Sequence, residues 1–142
     1  MMKVFVDTNV LLDLICQRQG FSDAADTLFE KGVEGKIQIV ISVLTFINTN
    51  YTAHRYGYSW DELRMTLGKI AEYVEISEIN SDTFHRALTS GMGDLEDAVQ
   101  YFSALSSACD CIISRDKKGF LGAAMAVYSP AEFLNGAHCL FR

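Results

Sequence analysis

The segment KVFVDTNVLLDL, residues 3–14, contains the transition from a strand to a helix that decides the fold. Residues 4–6 are apolar and β-branched or aromatic, which is typical of a short strand that is buried on both faces. The apolar residues that follow recur at helical spacing, and Thr8 is predicted as the N-cap of that helix. Asp7 therefore lies at the carboxyl end of a buried strand, where open α/β sheets bind their ligands. It is either a ligand-binding acid or a helix cap.

The rest of the chain alternates predicted strands with predicted helices. The predicted strands are rich in apolar residues and cover residues 3–6, 37–42, 73–77, 109–114 and 125–128. Helical periodicity predicts helices between them, a short helical segment at 117–122 and a last helix that opens at Pro130. This alternation predicts an α/β fold, a three-layer α/β/α sandwich around a mostly parallel sheet of four to five strands. Residues 136–142 are expected to form a tail or an edge strand.

Size and composition restrict the class of protein. A chain of 142 residues suits one domain over residues 1–142, and its hydrophobic content of 49% suffices for a core of its own. A net charge of −6 lacks the basic footprint with which proteins grip nucleic acids, although a carboxylate site that binds a divalent cation is compatible with phosphate chemistry. No apolar run reaches the length of a membrane helix, and we expect no secretory segment ahead of the four cysteines. We therefore expect no membrane contact and a cytoplasmic location.

Acidic residues from three separate regions are expected at one edge of the sheet. Asp7 and Asp116 follow the first and fourth predicted strands, and Asp94, Glu96 and Asp97 open the helix before the fourth strand. At about 100° per residue, Asp94 and Asp97 share a helix face and Glu96 points away from Asp94. Each acid alone is interpreted as a cap or turn residue, but converging acids repel each other unless a cation compensates. Their convergence predicts a divalent-metal site of the hard oxygen ligands that magnesium prefers.

Several motifs make the chain resemble the PIN-domain family. They are VDTNVLLDL at 6–14, ISVLTFIN at 41–48, DLEDAVQYFSAL at 94–105 and CDCIISRDKKGF at 109–120. These motifs come in the family's order and cover nearly the whole chain. Proteins similar to this one are typically magnesium- or manganese-dependent ribonucleases, and many are the toxins of VapBC-type toxin–antitoxin pairs. The resemblance therefore implies Mg²⁺ or Mn²⁺ as the cofactor, RNA as the substrate and an antitoxin protein as a partner.

The resemblance also implies a role for each matching residue. The family's metal-binding catalytic acids match Asp7, Asp97 and Asp116 of this sequence. Asn9 is expected to orient the first of these acids. Ser114 replaces a threonine of the family and keeps the same hydroxyl group.

One position departs from the family's pattern. The family's second acid is a glutamate six residues beyond the serine that follows the second strand, and here that position is Asn48. An amide offers a carbonyl oxygen, but it cannot neutralise a cation or act as a general base. We therefore expect one metal rather than two and slow turnover, with Asp94 as an additional metal ligand and Glu96 as a supporting acid. The alternative is a catalytically weakened PIN domain that binds RNA or protein.

Basic residues near the acids are candidate RNA contacts. These residues are Arg115, Lys117 and Lys118, which flank the last acid, and Arg55, which lies near the end of the helix that bears Asn48. Isolated basic side chains are also common on ordinary solvated surfaces. Contact with RNA and a plain surface role therefore both stay open for these residues.

Two further alternatives concern partners and reaction class. An apolar surface around the aromatic residues at 51–60 would suit a homodimer or an antitoxin segment, although such rings more often pack in a core. An aspartyl-phosphate phosphatase would use Asp7 as its nucleophile. That reaction class needs a second acid two residues further along, where Asn9 stands.

Overall fold

The computed structural model describes residues 1–137, and its elements alternate along the chain as the sequence predicts. The strands are β1 (Lys3–Val6), β2 (Gln38–Ser42), β3 (Glu75–Ser77), β4 (Cys111–Ile113) and β5 (Val127–Tyr128). The helices are α1 (Thr8–Cys16), α2 (Ser22–Val33), α3 (Val43–Arg55), α4 (Trp60–Ala71), α5 (Ser81–Leu88), α6 (Leu95–Ser106) and α7 (Pro130–Leu134). A 3₁₀ turn covers Lys118–Phe120. Within the described residues, no helix is long and apolar enough to cross a membrane.

The strands of residues 1–137 form one parallel sheet in the order β3-β2-β1-β4-β5. The central strand β1 pairs with β2 on one side and β4 on the other, so that Phe5 lies opposite Val40 and Ile112. Parallel neighbours require crossover connections, which the helices supply. All strands therefore end at the same edge of the sheet, and this edge receives the residues that follow β1, β2 and β4. The predicted fold class is confirmed.

Alternate side chains of the sheet fill two apolar layers. Val4 and Val6 pack with Leu11 of α1 and Leu28 of α2. Phe5 points to the opposite face, where it packs with residues of α6 and the 3₁₀ turn. The three β1 residues are fully buried, as expected for a parallel strand that is covered on both faces. The result is the three-layer α/β/α sandwich.

Several predicted boundaries are wrong. Asp7, not Thr8, is the N-cap of α1, because Thr8 is already helical and the Asp7 carboxylate accepts its backbone N–H. The helical pattern of the sequence runs through residues 8–19, up to Gly20, but α1 stops at Cys16 because Gln17 adopts a left-handed conformation with φ of 50°. The strands predicted at 73–77, 109–114 and 125–128 are each shorter, since only their central or later residues pair. Most of the predicted tail, residues 138–142, lies outside the described residues.

Candidate active site

Asp7 lies at the junction of β1 and α1, at the carboxyl edge of the sheet. The residue is only 6% exposed, and both of its carboxylate oxygens accept hydrogen bonds. Oδ1 accepts from the backbone N–H of Thr8 at 2.8 Å and from Gln100 Nε2 at 3.5 Å. Oδ2 accepts from the Ser114 hydroxyl at 2.8 Å and from Asn9 Nδ2 at 3.5 Å. Asp7 therefore caps the helix and is also fixed in place from three other directions.

Asn9 joins the ends of β1 and β4. Its Nδ2 donates to the Ser114 hydroxyl at 3.0 Å, and its Oδ1 accepts from the backbone N–H of Arg115 at 3.1 Å. The Ser114 hydroxyl in turn accepts from the backbone N–H of Asp116 at 3.0 Å. These contacts are shorter than the 3.5 Å between Asn9 and Asp7. The main structural effect of Asn9 is therefore to hold the segment that carries Asp116 beside Asp7.

A buried polar network, which the sequence analysis missed, lies behind Asp7. Gln100 of α6 is fully buried; its Oε1 accepts from the Ser42 hydroxyl, and its Nε2 donates to Thr45 Oγ1, both at 2.6 Å. The network joins β2, α3 and α6, and its partners satisfy the buried amide, as burial of polar groups requires. The spacing of Gln100 could have indicated its part in the site, because it follows Asp97 by three residues and so shares the same face of the helix.

Asp97 and Asp116 converge beside Gly119, a second residue whose part in the site the sequence analysis missed. Asp97 lies in the first turn of α6, and Asp116 lies in the loop after β4, where it accepts the backbone N–H of Gly119 at 3.3 Å. A β-carbon at Gly119 would overlap Asp97 Oδ2 and would lie 3.2 Å from Asp116 Oδ2. A larger residue here would push the Asp97 carboxylate out of its position, so glycine preserves that position. Two acids from distant parts of the sequence reach the same point.

The two other acids at the start of α6 are Glu96 and Asp94. Asn48 of α3 donates from Nδ2 to Glu96 Oε1 at 3.1 Å. Asp94 is the N-cap of α6, where its Oδ1 accepts the backbone N–H of Asp97 at 3.1 Å. Its backbone is extended, so the helical angle used to place Glu96 away from Asp94 does not apply. Asp94 is thus a helix cap, which is the role that the sequence analysis gave to each acid taken alone. Glu96 is directed toward α3.

Mutual repulsion and burial shape the protonation of these acids. Burial raises the pKa of Asp7, although its hydrogen bonds act in the opposite direction. Burial also raises the pKa of Glu96, assisted by the charges of Asp7 and Asp94. The pKa of Asp97 rises to about 7, first through burial and then through the charges of Asp7, Asp94, Asp116 and Glu96. The acids therefore interact as one group, and a bound cation would lower the cost of ionising them.

The donor set fits a partly hydrated cation and does not form a closed cage. Among residues 1–137, no group of three or more Asp, Glu, His or Cys side chains is arranged to hold a metal ion. Magnesium is commonly held by one or two carboxylates, its remaining ligands being waters and a substrate phosphate. The carboxylates of Asp97 and Asp116 match that description, and Gly119 leaves the space between them open.

Arg115, a predicted RNA contact, is engaged within the protein. Its guanidinium forms a bidentate pair with Asp13 of α1, with distances of 2.6 and 3.0 Å. Asp13 is fully buried and also lies 3.7 Å from Arg18. The Arg115 guanidinium carbon lies 3.8 Å from the ring centroid of Phe21. This side chain therefore neutralises a buried carboxylate, which the sequence analysis did not anticipate.

The other predicted RNA contacts are at the surface. Lys117 forms an ion pair with Glu132 at 2.6 Å. Lys118 is exposed beside the acids. Arg55 is exposed as well, with its guanidinium carbon 5.9 Å from the ring centroid of Tyr51.

Solved structures with the same architecture include several toxin–antitoxin proteins. A toxin–antitoxin complex from Klebsiella pneumoniae is 24% identical, with 89% of this chain and 97% of that chain covered and a TM-score of 0.66. VapBC2 from Rickettsia felis, bound to promoter DNA, is 12% identical, with 90% and 98% covered and a TM-score of 0.66. VapC20 from Mycobacterium tuberculosis, described as a sarcin–ricin loop cleaving toxin, is 13% identical, with 83% and 93% covered and a TM-score of 0.66. At these identities the likeness shows the fold.

The family is shown by the sequence itself. No curated protein shows significant similarity to the chain. The profile of the PIN domain, in contrast, matches residues 3–118, which is most of the chain and includes the acids at 7, 97 and 116. The chain therefore belongs to the PIN-domain family.

Proposed function

We propose that this chain is a divalent-metal-dependent ribonuclease that hydrolyses a phosphodiester bond of RNA. The observation that carries the proposal is the convergence of Asp97 and Asp116 beside Gly119, at the edge of the sheet where Asp7 is held. Membership in the PIN-domain family supports this reaction. The similarity to VapC20, described as cleaving the sarcin–ricin loop, supports RNA as the substrate.

The proposed cofactor is Mg²⁺ or Mn²⁺, with Asp97 and Asp116 as the residues that would hold it. Asp7, which is buried and accepts hydrogen bonds at both oxygens, would contribute its negative charge near them. A divalent cation in such a site polarises a water molecule and neutralises charge on the scissile phosphate. Asp97 and Asp116 orient the attacking water through their carboxylate oxygens. Ser114 and Gln100 donate hydrogen bonds to Asp7, which favour its ionised form despite its burial.

The second proposed property is control by an antitoxin protein. Two of the similar structures are toxin–antitoxin complexes, which supports a protein partner for this chain. α3 also presents an apolar stripe at four-residue spacing, formed by Val43, Ile47 and Tyr51, which are 45%, 62% and 60% exposed. Exposed apolar stripes of this kind are typical of protein interfaces. The homodimer and the cytoplasmic location expected from the sequence stay predictions.

A catalytically weakened binding module is the second candidate function. Asn48 favours it, because a neutral amide stands where the resemblance places an acid. The arrangement of the acids favours it as well, because among residues 1–137 no three Asp, Glu, His or Cys side chains are placed to hold a metal ion together. A binding module would retain the fold and the partner surface but would show neither metal binding nor cleavage.

An aspartyl-phosphate phosphatase is disfavoured by the geometry of Asp7. A nucleophilic carboxylate needs an accessible oxygen, whereas this residue is 6% exposed and both carboxylate oxygens accept hydrogen bonds. Asn9, which occupies the place of the second acid, is bound to Ser114 and to the backbone of Arg115. Neither feature suits a phosphoryl-enzyme intermediate.

Calorimetric titration with Mn²⁺, combined with cleavage of a mixed-sequence RNA, tests the proposal. The variants are Asp7→Asn and Asp116→Asn, of which the second removes an exposed acid and preserves the core. Asp23→Asn, an exposed acid in the first turn of α2, is the matched control. We expect the native protein and the control to bind Mn²⁺ and cleave RNA, and the two site variants to lose both properties.

Two results would contradict the ribonuclease assignment. If the native protein binds no Mn²⁺ at millimolar concentration, the binding module becomes the remaining candidate function. Cleavage that is equal in the native protein and in Asp116→Asn, or that persists in EDTA, would show that the activity does not arise from this site.

A further inference from the structure

We propose that the cavity beside Arg115 binds a base of the RNA, preferably guanine, next to the scissile phosphate. The cavity has a volume of about 340 Å³ and is bordered by the segment between α1 and α2, by Arg115 after β4 and by the start of α7. Cavities that bind small ligands occupy roughly 300–1,000 Å³, so a single base fits this one. The inference rests on the proposed function, because it names a subsite for the same substrate.

The topology places this cavity at the edge of the sheet that carries the acids. β4 and β5 are parallel neighbours, with Ile113 opposite Tyr128, so the residues that follow them lie at the same edge. Arg115 and Ser129, which both border the cavity, are two such residues. The cavity therefore lies beyond the carboxyl ends of β4 and β5, whereas the acids lie beyond the ends of β1 and β4.

Arg115 extends from the acids to the cavity along α1. Its backbone N–H donates to Asn9 Oδ1 at 3.1 Å, and its guanidinium pairs with Asp13, one turn further along the same helix. Asn9 also donates to the Ser114 hydroxyl, which is bound to Asp7. The backbone of Arg115 is thus tied to the Asp7 network, and its guanidinium lies at the cavity. One arginine side chain separates the two places, so a nucleotide beside the scissile phosphate reaches the cavity.

Phe21 and Arg115 give the cavity wall the chemistry of a base-binding site. Phe21 is 44% exposed, and the guanidinium carbon of Arg115 lies 3.8 Å from the centroid of its ring. Nucleic-acid bases stack on aromatic rings and on guanidinium planes. The residues around this pair include Gly20, Ala24 and Ala131, whose small size leaves room for a flat ring.

The Arg115 guanidinium retains a hydrogen-bond donor for such a base. Its bonds to Asp13 use Nε and Nη2, and among residues 1–137 Nη1 has no hydrogen-bond acceptor. Asp13 also lies 3.7 Å from Arg18, so one buried carboxylate faces two guanidinium groups and the three side chains carry a net positive charge. Guanine presents two adjacent acceptors, O6 and N7, to which arginine commonly donates. We therefore expect guanine to bind more tightly than the other bases.

Titration with GMP, AMP, CMP and UMP in EDTA tests the subsite in the absence of metal and of cleavage. Binding is followed through the backbone amide signals of the isotope-labelled full chain in NMR spectra. We expect GMP to shift the signals of Gly20, Phe21 and Ala131, and the other three nucleotides to bind more weakly. Inorganic phosphate is the control probe, and it is expected to leave these signals unchanged.

Variants of Phe21 separate stacking from general apolar contact. Phe21→Leu keeps an apolar side chain but removes the ring, so we expect GMP to bind at least about fivefold more weakly, whereas Phe21→Tyr keeps the ring and should bind within about twofold of native. Ala131→Phe, at an exposed position of α7, fills the cavity and is expected to abolish the shifts. Phe84→Leu is the matched control, since Phe84 is 43% exposed on α5 and does not border the cavity.

The sites of cleavage in a mixed-sequence RNA give a second readout. We expect the native protein and Phe84→Leu to cut at a fixed position relative to a guanine, and Phe21→Leu to lose this preference. A change of preference at one base is a result that a purely structural role of Phe21 would not produce.

The outcomes separate this inference from the proposed function. Mn²⁺-dependent cleavage by a native protein whose cavity signals no nucleotide shifts would overturn the subsite and leave the ribonuclease standing. Equal shifts with inorganic phosphate, or equal GMP affinity in Phe21→Leu and native protein, would overturn base recognition, and equal affinity for all four nucleotides would overturn the preference for guanine. GMP binding at the cavity without any RNA cleavage would support the subsite and overturn the ribonuclease.

Discussion

Replacing Asp97 by asparagine is expected to stabilise the metal-free protein at alkaline pH. The pKa of Asp97 is raised from 3.8 to about 7 by burial and by the charges of Asp7, Asp94, Asp116 and Glu96. Asparagine has nearly the same shape but carries no charge. At pH 8 the native protein holds an ionised carboxylate against both burial and this repulsion, and the variant does not.

The sign and the size of the effect follow from proton binding. Between pH 3.8 and about 7 the folded protein retains the Asp97 proton that the unfolded chain has lost, so stability falls as the pH rises through this range. The full difference in pKa corresponds to about 4 kcal/mol. Asp97 is partly exposed, and screening by solvent and salt reduces this to about 1–2 kcal/mol. The variant also loses about 0.5 kcal/mol of interaction with the helix N-terminus, which leaves a net gain of about 1 kcal/mol at pH 8.

Urea unfolding in EDTA at pH 8 and near pH 4, followed by circular dichroism, measures this gain. Near pH 4 the native carboxyl is protonated, so the two proteins are expected to have similar stability. Asp23→Asn is again the control, since Asp23 is an exposed acid in the first turn of α2. We expect a loss of a few tenths of a kcal/mol for this control at pH 8. An Asp97→Asn variant no more stable than native at pH 8 would refute the raised pKa of Asp97 and with it the combined effect of burial and neighbouring charges.

Three further predictions concern residues around the site. Arg115→Ala leaves buried Asp13 without its bidentate partner, and we expect urea unfolding to show a loss of about 2–3 kcal/mol; a loss below about 1 kcal/mol would contradict the buried pairing. Gly119→Ala directs a methyl group onto Asp97 Oδ2, so calorimetry should show at least about tenfold weaker Mn²⁺ binding, and unchanged affinity would place the cation elsewhere. Within residues 1–137, Thr49 has a buried hydroxyl without a hydrogen-bond partner. Thr49→Val removes this unsatisfied group, so urea unfolding should show a gain of about 1 kcal/mol in the free energy of unfolding, whereas destabilisation would reveal a missed partner.

The order of strands and helices was predictable because burial leaves a continuous apolar signature in each parallel strand. The bounds were less predictable, since an apolar run marks burial whereas a strand ends where backbone pairing ends. Ile37, for example, is only 8% exposed but lies outside β2. The start of α1 was misplaced for a related reason. Asp7 and Thr8 are both good N-cap residues, and local preference does not choose between neighbours.

The location of the acids was predictable where topology alone determines it. Asp7 and Asp116 follow parallel strands, so both had to reach the same edge of the sheet. Side-chain partners that are distant in sequence were not predictable. Arg115 was one candidate RNA contact, and its pairing with Asp13, 102 residues away, could not be predicted from the sequence. Gln100 has the spacing of a core position, and only the folded structure shows the polar network that satisfies it.

The distribution of charge ties the proposed substrate to the proposed cofactor. The chain has a net charge of −6, and both Arg115 and Lys117 form ion pairs within the protein. RNA that approaches the sheet edge therefore meets carboxylates, which repel its phosphates until a divalent cation is bound. In the proposed ribonuclease, cation and RNA consequently strengthen each other's binding, and thermodynamic reciprocity makes the two effects equal in size. Loss of a metal-binding carboxylate thus weakens the cation-dependent part of RNA binding as well as metal binding, even when that carboxylate never touches the RNA.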